Sequence, residues 1–116
     1  MDQVTILHNP RCSKSRQTLE LLQQRGITPH IIEYLQTPPE VAELEKILSM
    51  LAMEPRELMR REEPEYQQLQ LDDPTLSKEQ LIAAMHAHPK LIQRPIVING
   101  NQALIGRPPE NVLSIL

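Results

Sequence analysis

A chain of 116 residues, 40% of them hydrophobic, has material for one domain around a single modest core. A formal net charge of −3, two tyrosines and no tryptophan or phenylalanine argue against a basic nucleic-acid or anionic-membrane surface and against an aromatic platform for stacking bases. The single cysteine, Cys12, cannot form an internal disulfide, so no oxidising compartment is implied.

In chain order, Met1-Asp2-Gln3-Val4 lacks the basic and hydrophobic regions of a secretory signal. No apolar run approaches the length of a membrane span. The expected location is the cytoplasm. Val4 to His8 reads as a short buried strand. Ser13 to Arg25 reads as a helix with Thr18, Leu19 and Leu22 on one side and Gly26 as its C′ residue. Between them runs His8-Asn9-Pro10-Arg11-Cys12-Ser13-Lys14-Ser15-Arg16. The lone thiol therefore falls on the turn from strand to helix, where unpaired backbone N–H groups and the helix dipole favour a thiolate, the nucleophilic form. Asn9, Pro10, Arg11 and Lys14 are poor company for a buried core cysteine.

Ile31, Ile32 and Tyr34 mark a second strand. One helix separates the two strands, so they form a parallel, right-handed βαβ unit. Thr37-Pro38-Pro39-Glu40 reads as a capping box with Thr37 at N-cap, Pro38 at N1 and Glu40 at N3. Leu44, Ile47, Leu48 and Leu51 follow at helical spacing. Pro55 opens a helical turn through Leu58 and Arg60, and the polar stretch from Glu62 to Pro74 holds a short surface helix. Ser77-Lys78-Glu79-Gln80 is a second capping box ahead of Leu81, Ile82 and Met85. Pro95 to Ile98 and Gln102 to Ile105 flank Asn99-Gly100-Asn101, a hairpin signature. Pro108 starts a last helix with Val112, Leu113, Ile115 and Leu116. The expected organisation is one domain over residues 1–116 with a helical insertion at about 39–90.

The order βαβ then ββα, with a thiol opening the first helix, is the layout of the thioredoxin superfamily. That makes this an α/β protein with a mixed four-stranded sheet. Cys12-Ser13-Lys14-Ser15 has the C-x-x-S form, and Pro95 stands where that fold sets a proline, usually cis, facing the thiol. With no second thiol, any adduct on Cys12 must be released by water or an outside thiol, so a redox reaction here needs glutathione, glutaredoxin or thioredoxin. Arg60, Arg94 and Arg107 each sit at the boundary of a predicted element. Guanidiniums gathered around a thiolate would cage a tetrahedral oxyanion, since each presents rigid, paired donors. A phosphatase-type C-x5-R loop is excluded, because position 18 is threonine and Arg16 gives the wrong spacing. His86 and His88, two apart on a helix, do not face one another, so no metal site is expected. Glu62-Glu63 and Asp72-Asp73 lie in polar surroundings and read as a solvated face.

His8-Asn9-Pro10-x-Cys12-x-x-Ser15-Arg16, Tyr34-Leu35-x-Thr37-Pro38-Pro39, Glu57-Leu58-Met59-Arg60, Arg94-Pro95-Ile96-Val97 and Gly106-Arg107-Pro108-Pro109-Glu110 together resemble the glutaredoxin-coupled arsenate reductases, the ArsC family. The resemblance implies that Cys12 attacks arsenate while Arg60, Arg94 and Arg107 bind its oxygens, and that His8 and Ser15 help stabilise the thiolate. It implies glutathione as co-substrate with no bound cofactor, glutaredoxin as partner, and a monomer that binds neither nucleic acid nor membrane. Ser13-Lys14, in place of the Gly-Thr often found there, and an end at Leu116 resemble a shorter subgroup of the family. The remaining expectations are a monothiol glutathione-dependent thiol-disulfide oxidoreductase and a non-catalytic partner-binding regulator of the same fold.

Overall fold

The computed structural model describes residues 3–116, so Met1 and Asp2, the start of the segment read above for a signal sequence, lie outside the described residues. The chain divides into two compact units, one of residues up to Thr37 together with Arg94–Leu116, the other of Pro38–Gln93. Among the described residues no helix is long and apolar enough to cross a membrane.

The first unit contains β1 (Val4–His8), α1 (Ser13–Gln24), β2 (His30–Glu33), β3 (Ile96–Asn99), β4 (Gln102–Ile105) and a 3-10 helix at Pro109–Ile115. The sheet order is β2-β1-β3-β4, with β1 and β2 parallel and the other two pairings antiparallel. This is the expected thioredoxin-like sheet. Alternation along β1 sends Val4 and Ile6 to one face, where they meet Leu22 of α1, Val97 of β3, and Val112 and Ile115 of the 3-10 helix. Gly26, at φ +77°, supplies the left-handed residue that ends α1. The hairpin turns through Gly100 (φ +63°), with Asn99 paired to Gln102.

In the second unit α2 (Val41–Leu51) and α4 (Lys78–Ala87) carry the buried Leu44, Ile47, Leu48, Leu81, Ile82 and Met85. Two 3-10 turns (Pro55–Leu58 and Pro89–Leu91) and the short α3 (Pro64–Gln68) complete it. Ser77 caps α4 as expected: its Oγ accepts from the Gln80 N–H at 3.1 Å and its N–H donates to Gln80 Oε1 at 2.7 Å. The other capping box corrects the sequence reading. The N-cap of α2 is Glu40, whose N–H donates to Glu43 at 3.3 Å, not Thr37. Pro38 and Pro39 are the cause, because the residue before a proline is driven out of helical geometry.

Candidate active site

β1 ends at His8, and the chain crosses to α1 through a turn built by Asn9. The Asn9 carbonyl accepts from the Cys12 N–H at 3.0 Å, and its side-chain Oδ1 accepts from the Arg11 N–H at 3.0 Å. Cys12 is thereby the N-cap of α1, extended (φ −94°, ψ 124°) and half-buried, and its thiol makes no capping hydrogen bond. The first turn of α1 holds no acidic residue, and Arg11, Lys14 and Arg16 are the charged residues of the turn and the start of the helix. Arg16 anchors the turn by donating to the Pro10 carbonyl at 2.9 Å.

Ser15 is fully buried. Its Oγ accepts from the Asn9 N–H at 3.0 Å and lies 2.6 Å from His8 Nδ1. A backbone N–H can only donate, so Ser15 Oγ accepts from Asn9, and the tautomer of His8 sets the direction of the second bond: a neutral ring protonated on Nε2 accepts the Ser15 proton at Nδ1. Burial holds the His8 ring below the usual histidine value; Glu33 opposes that shift and Arg16 reinforces it.

Strand register sets the rest of the site. Ile96 at the start of β3 lies opposite Leu7, and Ile105 at the end of β4 lies opposite Ile96. Arg94-Pro95 and Gly106-Arg107 therefore leave the same end of the sheet as the Cys12 turn. The Gly106 N–H donates to the Pro95 carbonyl at 2.9 Å, and Thr18 of α1 donates to the Lys14 carbonyl at 2.8 Å, with the Gly106 carbonyl 3.4 Å away. The Arg94–Pro95 bond is cis, and so is Arg107–Pro108, for which the sequence carried no signal. Arg94 Nε is buried with no hydrogen-bond partner among the described residues, whereas Arg107 is exposed.

Arg60 belongs to the other unit. Its guanidinium is held by Glu63 at 2.7 Å and Glu62 at 3.3 Å, with 17% of the side chain exposed. These ion pairs compete with the oxyanion role that the sequence resemblance implies for Arg60. His86 is likewise occupied locally, its Nδ1 lying 2.8 Å from the Pro39 carbonyl.

The sequence reading gave no role to Asn9, Thr18, Gly106 or Glu33. Asn9-Pro10 is a turn signal that could have flagged the first. Gly106 is glycine for a steric reason: a Cβ there would sit 2.5 Å from Thr18 Oγ1 and 2.9 Å from Pro95 Cγ. Gly106→Ala is accordingly expected to cost about 1–3 kcal/mol of stability, read as a lower denaturant midpoint. An unchanged midpoint would mean that Thr18 and Pro95 yield freely.

The ArsC family model matches residues 7–115. The chain is 53% identical to a protein of Escherichia coli K12 named "Uncharacterized protein YfgD", over 98% of this chain and 97% of that one. It is 51% identical to a protein of Haemophilus influenzae named arsenate reductase, over 97% and 98% of the two chains. A solved structure named arsenate reductase from Vibrio cholerae, 52% identical, superposes with a TM-score of 0.96 over 99% of this chain and 98% of that one.

Proposed function

This chain belongs to the ArsC family, and from that premise we propose that it reduces arsenate to arsenite through Cys12, with glutathione as co-substrate and glutaredoxin as partner. The observation that carries the reading is the company of the thiol. One half-buried cysteine stands at the N-cap of α1, at the end of the sheet from which Arg94 and Arg107 also depart, and Arg94 keeps a buried donor without a partner among the described residues.

The chemistry runs as follows. Ser15 is three residues along α1 from Cys12, on the same helical face. With its own proton directed at His8, Ser15 Oγ can take the thiol proton as its proton passes to His8 Nδ1, leaving thiolate and imidazolium. The thiolate attacks arsenic in dihydrogen arsenate, forming an S–As bond. One As–O bond breaks, and that oxygen leaves as water once the proton is returned to it. Arg94 and Arg107 hold the remaining oxygens as charge redistributes. Arsenic must then gain two electrons, and a protein with one thiol supplies only one sulfur of the disulfide that provides them. Glutathione supplies the other, and glutaredoxin collects the mixed disulfide. The reaction belongs in the cytoplasm, where glutathione is kept reduced.

The test is arsenite formation from arsenate by the purified protein with glutathione, glutaredoxin and a reductase that recycles glutathione. Turnover that stops when glutathione is omitted supports the reading. Exchange of glutathione with a disulfide, with no arsenite formed, would instead make this a monothiol oxidoreductase.

A further inference from the structure

The His8 ring is 6% exposed, and its Nδ1 is taken by Ser15. Its second nitrogen, Nε2, is the only other polar ring atom and has no protein hydrogen-bond partner among the described residues, which leaves it to water. His8 lines a cavity of about 150 Å³ with Asn9, Arg11, Glu33 and Gln36, space for several waters at about 30 Å³ each. Glu33 is the residue opposite His8 in the parallel β1–β2 register, so the two side chains stand on one face of the sheet. No direct ion pair joins them, and Glu33 pairs with no other cation among the described residues.

We propose that Glu33 is a positioning residue for His8: through water in this cavity its carboxylate keeps the ring proton on Nε2, which leaves Nδ1 free to accept from Ser15. The charged groups facing the ring are Glu33 from β2 and Arg16 from α1, with Arg11 on the wall of the same cavity. Of these only Glu33 favours a proton on the ring. Without it, the tautomer with the proton on Nδ1 competes. That tautomer donates to Ser15 Oγ and turns the hydroxyl proton away from His8, so Ser15 can no longer pass its proton on. The consequence for turnover rests on the reductase reading above; the placement of the ring proton does not.

The experiment follows the ring nitrogens of His8 by 15N NMR as a function of pH in the full-length wild type, Glu33→Gln and Glu33→Asp. The wild type should carry its proton on Nε2 at neutral pH. Glu33→Gln should lower the protonation midpoint of the ring by roughly half to one pH unit and populate the Nδ1–H tautomer, with Glu33→Asp close to wild type. An Nδ1–H ring in the wild type, or the same midpoint in Glu33→Gln, overturns the proposal. In turnover, the neutral ring is the competent form, so activity falls as pH drops through its midpoint. The acid limb of the kcat profile should thus move down with the midpoint in Glu33→Gln, kcat should fall several-fold, and KM for arsenate should hold. If the wild type forms no arsenite, the reductase reading fails while the ring titration still decides the role of Glu33.

Discussion

Cys12→Ser is expected to abolish arsenite formation, by at least about a thousandfold, while leaving the fold as stable as before. The first half follows from chemistry: a serine hydroxyl stays protonated near neutral pH, forms no thiolate and cannot enter a disulfide, so both the attack on arsenic and the passage of electrons are lost. The second half follows from the position. The Cys12 side chain makes no capping hydrogen bond, although it occupies the N-cap of α1. Serine is among the preferred N-cap residues and can accept from the N–H of Ser15 at N3, so the substitution should hold or raise the denaturant midpoint, by up to about 1 kcal/mol. The Asn9 carbonyl still receives the N–H of residue 12, because that bond is made by the backbone. Lost activity with intact stability separates a chemical role from a structural one. Arsenite formation above a few per cent of wild type would remove Cys12 from the reaction, and a large fall in stability would make the lost activity uninformative.

The parts of this molecule that were legible in the sequence are those fixed by local signals. Gly26 and Gly100 occupy the positive-φ positions that end α1 and turn the hairpin, and the Ser77 box caps α4. From such signals followed the order βαβ then ββα, and with it the sheet end shared by Cys12, Arg94 and Arg107. The Thr37 box failed because a capping motif says nothing of a competing proline effect, and two consecutive prolines moved the helix start to Glu40. Glu33 was invisible for a different reason. Its partnership with His8 depends on the register of a parallel pair, which is set by the crossover through α1 and not by any turn between the strands. The Arg94 Nε, buried without a partner among the described residues, was equally out of reach, since burial of one atom depends on packing from many elements. For Arg60 the sequence offered both answers, an anion ligand from the family pattern and ion pairs from the adjacent Glu62 and Glu63. The structure shows the ion pairs, which compete with the anion role without deciding it.

Arg94→Ala should lower kcat/KM for arsenate by about a hundred- to a thousandfold, the loss typical of removing one oriented donor from a site where charge develops. Its cost in stability should be smaller than that of an ordinary buried truncation. A desolvated N–H with no partner is a cost to the folded state, so deleting it offsets part of the packing lost with the side chain. Arg107 is exposed, and its donors already have water, so Arg107→Ala should cost less, about ten- to a hundredfold. Lysine should not restore the function of Arg94, because an ammonium lacks the planar pair of donors that matches two oxygens of one oxyanion. Glutathione-disulfide exchange at Cys12, measured on the same preparations, should change only several-fold in either variant, since that reaction carries no tetrahedral anion. Equal losses in both assays would mean that Arg94 acts on the thiol and not on the oxyanion. If neither assay changes, the two arginines at this end of the sheet do not form an oxyanion cage. The double variant discriminates further: two arginines gripping one anion should give a combined loss smaller than the product of the single losses, because residues that act as a unit are not additive.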